Sequence, residues 1–385
     1  MHEVAARQLV MVGGGHSHAL ALLALARRPL RDVAITLLGI EAYAPYSGML
    51  PGVVAGHYRE HDAQIDLAAL ASRVGATFRQ ARVVSLDLPG RKVRVEDGTT
   101  VAFDWLSLDV GSTPDLETPG AREHTVPVKP VSSFQRRWEQ MLARLRARAV
   151  ATSADVAVVG AGAGGVELAL AVAYRVASEG LSARVRLHLL TGASGLLPTY
   201  GGRVRAVVRN ALGEAGIRLH AGGGVERVST GQLHCVDGSV VRADEILWVT
   251  RASAQPWLAD SGLATDARGF VRIDATLRSV SHPYVFASGD CASLDGARLP
   301  KAGVFAVRQA PVLTRNFRAV SAGLDLTRYV PQTRYLSLLT TGSRHALAWR
   351  HSWWAPHGAW VWHWKDWLDR QFIRRFRRAG TGTER

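Results

Sequence analysis

An α/β fold with two nested parallel-sheet units and a small C-terminal α+β domain is predicted by three stretches of this 385-residue chain. Gln8-Leu9-Val10-Met11-Val12 runs into Gly13-Gly14-Gly15-His16-Ser17-His18 and then an Ala/Leu-rich helix signal from Ala19 to Ala26. Asp155-Val156-Ala157-Val158-Val159 repeats the arrangement ahead of Gly160-Ala161-Gly162-Ala163-Gly164-Gly165-Val166-Glu167 and a second Ala/Leu/Val helix. Far downstream, Tyr284-Val285-Phe286-Ala287-Ser288-Gly289-Asp290 reads as a short buried strand ending at a glycine and a carboxylate. Strand, glycine turn and helix are what a dinucleotide pyrophosphate needs, because the helix amides supply its hydrogen-bond donors. The chain therefore divides into two Rossmann-like units, the second inserted in the first. The expected boundaries are 1–120 with 265–325 for the first unit, 121–264 for the second, and 326–385 for the C-terminal domain.

Composition narrows the class. A hydrophobic content of 47% over this length supports two or three sizeable cores. No uninterrupted apolar run reaches the roughly 18 residues of a membrane span, and Met1-His2-Glu3-Val4 lacks the basic start of a secretory leader. A cytoplasmic location is expected. Cys235 and Cys291 are the only cysteines and lie far apart, which excludes a disulfide framework and a Cys-x-x-Cys redox pair. No metal site is expected. The formal charge of +15 gathers towards the carboxyl end, but no recognition fold accompanies it, so nucleic acid is not an expected partner.

In the first glycine loop Gly13 permits the tight turn and Gly15 the close backbone approach, while His18 stands where the third glycine belongs. That exchange is expected to separate or tilt the helix against its strand. Val33 to Leu38 is the second strand; Gly39 stands where an acidic residue would hold the adenosine ribose, and Glu41 is either its substitute or a solvated loop residue. Arg82-Val83-Val84 and Lys92-Val93-Arg94-Val95 alternate about Pro89-Gly90 as a hairpin would. In the inserted unit all three glycines are present. Glu167 either complements the dipole of the first helical turn or meets a nicotinamide. The next strand, Val185 to Leu190, ends in Thr191 rather than a carboxylate, so strict preference for NADH over NADPH is not supported; Arg203 and Arg205 could meet a 2'-phosphate.

Asp290 at a strand's carboxyl end, with Thr276 upstream, resembles the second flavin-binding motif of the pyridine-nucleotide flavoprotein oxidoreductases. Asp104-Trp105-Leu106-Ser107-Leu108-Asp109-Val110-Gly111-Ser112 resembles the strand that returns to the flavin there, with Asp109 where a small residue is usual. Glu245 to Ala252 falls where an Ala-Thr-Gly closes the nicotinamide unit, with Arg251 in place of the glycine. The whole resembles type II NADH dehydrogenases. More specifically, Gly13 to His18, Pro45-Tyr46-Ser47-Gly48-Met49-Leu50-Pro51-Gly52 and Pro300 to Gln309 resemble the flavoprotein segment fused ahead of selenophosphate synthase in some bacteria, over residues 8–378.

The resemblance implies FAD and NAD(P)H as cofactors, with hydride passing from nicotinamide to flavin and electrons on to a quinone or similar small acceptor, without a discrete acid–base residue. The implied cofactor contacts are Gly13, Gly15, His16, Glu41, Val83, Gly111, Gly289, Asp290, Lys301, Ala302 and Gly303 in the first unit, and Gly160, Gly162, Gly165 and Glu167 in the second. The Pro45 to Pro51 loop either lies against the isoalloxazine or is a packed connection. The amides of Ala302, Gly303 and Val304, with Lys301, either stabilise charge on the flavin pyrimidine or belong to an ordinary helix whose lysine points outward. An alternative function, resting on Arg251, His18 and Asp109, is a flavin-binding redox sensor or scaffold with an impaired nicotinamide site.

The carboxyl end concentrates Trp353, Trp354, Trp360, Trp362, Trp364 and Trp367. After a hairpin signal over Leu336 to Leu339 and Ala346 to Trp349, the residues Trp360, Trp364, Leu368, Phe372 and Phe376 recur at four-residue steps, with Lys365, Arg370, Arg374, Arg375, Arg377 and Arg378 elsewhere. Such a helix either lies on an anionic membrane surface or packs its aromatics on the body or across a homodimer.

Overall fold

The computed structural model describes residues 6–148, 152–221, 223–350 and 354–377, so Trp353 and Arg378 of the C-terminal pattern lie outside the described residues. In chain order the principal strands are β1 (Arg7–Val12), β2 (Val33–Gly39), β3 (Thr77–Gln80), β4 (Trp105–Leu108), β5 (Val126–Pro127), β6 (Ala154–Val159), β7 (Val185–Leu190), β8 (Ile217–His220), β9 (Glu245–Trp248) and β10 (Val285–Ala287). The helices that matter are α1 (His16–Arg27), α2 (Ala163–Ser178), α3 (Gly303–Ala322) and α4 (Ala359–Arg377).

Two five-stranded sheets result, ordered β10-β4-β1-β2-β3 and β5-β9-β6-β7-β8 and parallel throughout. Each centres on the strand that enters a glycine loop. All six residues of β6 and the last four of β1 are buried, as strands covered on both faces require. Only β10 arrives late, after the second sheet is complete, which is the expected nesting.

The two sheets are built alike down to single bonds. Asp104 accepts from the Gln8 amide at 2.7 Å ahead of β4, and Asp244 accepts from the Asp155 amide at 2.8 Å ahead of β9. One residue past the strand, the Asp109 amide donates to the Val12 carbonyl at 2.9 Å, and the Val249 amide donates to the Val159 carbonyl at 2.8 Å. Asp109 and Val249 are thus the same structural position. Each half also carries a three-stranded antiparallel meander, Val83–Asp87 with Lys92–Val95 and Thr100–Ala102 in the first, Val225–Ser229 with Gln232–Cys235 and Val240–Arg242 in the second. The chain crosses between the halves at Thr113–Pro114 and Ala252–Ser253, which pair with each other antiparallel.

The C-terminal hairpin forms as expected from Ser337–Thr340 and Ala346–Trp349. The helix after it corrects the four-step row: Trp360 and Trp364 are exposed, but Phe372 and Phe376 are buried in the core of the first sheet. Lys365, expected on the solvated basic face, is buried too, donating to the Gly48 carbonyl at 2.7 Å and to Asp369 at 2.6 Å. Burying Phe372 and Phe376 outweighs the membrane-facing pattern because a large aromatic contributes about 2 kcal/mol or more when removed from water. The exposed row is instead Trp360, Trp364 and Trp367, one helical face at steps of four and three. No helix among the described residues is long and apolar enough to cross a membrane.

Candidate functional site

A cleft of about 320 Å³ opens at the carboxyl ends of β1, β2 and β4, where an open parallel sheet binds its ligands. It brings together Gly13, Gly15, Glu41, Val83 and Gly111 of the expected site, and adds Ser112 and Lys129. Gly13 has a φ of +94° and sits under the Asp109 carbonyl, a position that a side chain would not tolerate. Asp290 reaches the same cleft wall: Lys129 donates to it at 2.9 Å and Ser112 at 3.1 Å. Burial alone would push the Asp290 carboxyl up; the Lys129 ammonium and these hydrogen bonds hold it below the ordinary carboxylate range. Gly289 donates its amide to the Gln309 side chain at 2.7 Å, tying this turn to α3.

His18, in the third glycine's place, is fully buried rather than displaced into solvent. Its Nδ1 lies 2.7 Å from the Gly13 carbonyl and its Nε2 2.8 Å from the Ser107 hydroxyl. A carbonyl only accepts, so the neutral ring carries its proton on Nδ1 and the serine donates to Nε2. Burial lowers His18 to about 4, which keeps it in that state. The small residue that lets an imidazole fit between helix and sheet is therefore Ser107, on the neighbouring strand. His16, first in α1, points towards Gly303, first in α3, and Ser17 donates to the Ala306 carbonyl at 2.9 Å. Ala302 caps that helix. Lys301 is corrected: its ammonium donates to the Ala292 carbonyl at 2.6 Å and lies 3.7 Å from the Phe270 ring centre, turned away from the cleft. The cation beside Asp290 is Lys129, which lies 161 positions away in sequence and carries no local signal.

The second glycine loop is more open. Gly160 has a φ of +112° beneath the Val249 carbonyl, and a methyl on Gly165 would collide with the Gly160 carbonyl. Gly162 caps α2 in an extended conformation, φ −71°, and a methyl placed on it meets nothing within 4 Å. Glu167 corrects the dipole reading, since it sits in the second turn of α2 and accepts from the Thr340 amide at 2.8 Å and hydroxyl at 3.1 Å. Burial pushes its carboxyl up, against the pull of Lys365. Arg251 holds the place of Gly111 but is exposed, and non-glycine positive φ among the described residues is confined to Asp32, Arg91, Leu197, Leu277 and Arg344. Ordinary backbone thus serves there, with the Arg251 carbonyl accepting from Asp115 at 2.9 Å.

Two glycine-looped parallel sheets, one nested in the other, coincide with a match of residues 7–310 to the pyridine nucleotide-disulphide oxidoreductase family. The chain belongs to that family. As an oxidoreductase of this kind it resembles the NADH dehydrogenase-like protein YutJ of Bacillus subtilis, 23% identical over 76% of this chain and 78% of that one. It also resembles the alternative NAD(P)H-ubiquinone oxidoreductase C1 of Arabidopsis thaliana, 27% identical over 82% of this chain and 70% of that one. Its fold is shared with sulfide:quinone oxidoreductase of Aquifex aeolicus, TM-score 0.80 at 18% identity over 98% of this chain and 93% of that one. NDH2 of Plasmodium falciparum, solved with NADH, gives 0.81 at 13% over 98% and 99%.

The cysteines of this oxidoreductase lie in separate cores, Cys291 behind the first cleft and Cys235 in the second unit's meander. Burial pushes the Cys291 thiol up to about 12, so it is no thiolate. Near the cleft, the Pro45–Gly52 segment meets α4 instead: Tyr46 stacks on Phe372 at 4.6 Å, lies 5.3 Å from the His16 ring, and donates its hydroxyl to Asp369 at 3.1 Å. None of these α4 partners was legible from spacing alone.

Proposed function

We propose that the protein is a FAD-dependent NAD(P)H dehydrogenase that passes electrons to a quinone or similar small acceptor at a membrane surface. The observation that carries this is the pair of like-built cradles, each a parallel strand entering a glycine loop, joined by the paired crossings at Thr113–Pro114 and Ala252–Ser253. The first cradle suits FAD. Asp290 is an ionised acceptor for ribityl hydroxyls, Lys129 supplies a cation at the same wall, and α3, beginning at Gly303, is tied to the turn that holds Asp290 by the Gln309 side chain. The second cradle suits NAD(P)H, because Gly162 leaves the space that a pyrophosphate fills. When bound, FAD supplies a two-electron acceptor for nicotinamide hydride and a donor to the quinone.

The chain's own residues orient and seal. Tyr46, Phe372 and His16 form an aromatic wall beside the first cradle, and Lys365 with Asp369 locks the Gly48 carbonyl and the Tyr46 hydroxyl into it. The cysteines lie in separate cores, so no dithiol competes for electrons. Trp360, Trp364 and Trp367, exposed on α4 near Arg370, Arg374 and Arg377, suit the headgroup region of an anionic bilayer. Rapid mixing of the flavin-loaded protein with NADH or NADPH and then a soluble quinone tests the assignment; reduction by the nucleotide without reoxidation by quinone would reject the acceptor and keep the donor.

A further inference from the structure

Of the positions at which the two cradles differ, one lies directly over the second glycine of the loop. In the second unit that position is Val249, whose side chain lies 3.8 to 3.9 Å from where methyls on Gly164 and Gly165 would be and leaves the space over Gly162 empty. In the first unit it is Asp109, and its carboxyl lies where a methyl on Gly15 would be. Gly15 is the second glycine of its loop, as Gly162 is of the other, and the missing side chain there is what lets a pyrophosphate approach. The Asp109 carboxylate fills that space and accepts from the first amides of α1, Ser17 at 2.9 Å and His18 at 3.1 Å. These are donors of the kind that a phosphate takes at a helix amino terminus.

Resting on the FAD reading of this cradle, we propose that Asp109 is a built-in anionic plug of the flavin site, and that binding FAD requires its neutralisation by one proton. Asp109 is 3% exposed and has no cation of its own among the described residues. On α1 it meets the backbone amides of Ser17 and His18 and the Ser17 hydroxyl; the His18 ring, and that of His16 two residues earlier, are kept neutral by burial at about 4. On the turn after β10 it faces Asp290 and the neutral Cys291, with Lys129 engaged by Asp290 and Lys301 by the Ala292 carbonyl. Burial pushes Asp109 up to about 7 against the pull of the His18 and Ser17 amides, so it changes charge near neutrality. Its neutral form holds the α1 amides only weakly, so phosphate oxygens can displace it and turn the side chain off Gly15; its anion both holds those amides and repels the pyrophosphate. A bound pyrophosphate raises Asp109 further, so the proton is taken up on binding.

The test is titration of FAD into flavin-stripped full-length protein from pH 6 to pH 8.5, with calorimetry in two buffers of different ionisation enthalpy to count protons. The wild-type dissociation constant is expected to rise about tenfold per pH unit above pH 7, with one proton taken up. Asp109→Val, the residue that the second unit uses, and the near-isosteric Asp109→Asn are both expected to bind with flat pH profiles and no proton uptake, tighter than wild type at pH 8.5. Asp109→Asn keeps the test standing if the valine variant does not fold. A flat wild-type profile without proton uptake, alongside normal FAD binding, overturns the plug while leaving the FAD reading intact. Failure of wild type and both folded variants to bind FAD at any pH overturns both.

Discussion

Replacing Gly162 with alanine separates what the second loop does for nucleotide from what it does for the fold. Gly162 has φ −71° and ψ −179°, a conformation that any residue adopts, and a methyl there meets nothing within 4 Å. The variant is therefore expected to fold, with stability unchanged or raised by roughly 0.4–1 kcal/mol through a less flexible unfolded chain. The space that the methyl takes is the space over the α2 amino terminus. A pyrophosphate held off by one methyl loses at least one charge-assisted bond, about 1.5–3 kcal/mol, so the NADH and NADPH dissociation constants are expected to rise roughly ten- to 150-fold. Gly165→Ala is the contrasting control, because its methyl collides with the Gly160 carbonyl and the fold itself gives way. Thermal unfolding together with a fluorescence titration reads both effects. Unchanged nucleotide affinity in a stable Gly162→Ala protein would refute the placement of the pyrophosphate on this loop.

Other expectations follow from the same contacts. Lys129→Met is expected to weaken FAD binding about tenfold while Lys129→Arg largely restores it, read by flavin fluorescence on dilution; equal retention in both would show that the ammonium beside Asp290 is not used. Lys365→Met leaves Asp369 buried without its cation and is expected to cost about 3–5 kcal/mol in a urea melt; an unchanged midpoint would show that the pair does not hold α4 in place. His18 titrates near 6.5 when unfolded and near 4 when folded, so between those pH values the unfolded chain binds the extra proton and the His18 contribution falls as pH falls, by roughly 3 kcal/mol below pH 4; His18→Asn removes that contribution, read as the difference between the two stability–pH profiles, and parallel profiles would contradict it. Trp360→Ala combined with Trp364→Ala and Trp367→Ala is expected to abolish sedimentation with anionic vesicles without lowering the melting temperature, since all three side chains are exposed; undiminished sedimentation would point to another docking face.

The glycine loops, the strands that feed them, the hairpin about Pro89-Gly90 and the Gly289-Asp290 turn were legible because each is a local pattern. Backbone conformation at Gly13 and Gly160 must be positive in φ, and a run such as Val156 to Val159 has nowhere to go but a covered sheet. The site's charges were not legible, because each depends on a partner far along the chain. Lys301 stood next to the α3 start in sequence, yet the Ala292 carbonyl and the Phe270 ring hold it, while Lys129 arrives from the crossing between units. The C-terminal helix misled for a related reason. A four-step aromatic row marks one face, but whether that face meets lipid or protein is decided by what packs on it, and here Tyr46 and the first core claim Phe372 and Phe376. Asp109 was visible as a departure from the flavoprotein pattern; only the equivalence with Val249 shows what the departure fills.

The central claim is that the two cradles serve one transfer, nicotinamide to flavin, and anaerobic absorbance spectroscopy of the FAD-loaded protein tests it most directly. On that claim, one equivalent of NADH or NADPH bleaches the flavin band within seconds, and Gly162→Ala needs a much higher nucleotide concentration for the same bleaching. A flavin that stays oxidised under excess of both nucleotides, in a protein whose FAD is reduced readily by dithionite, would contradict it.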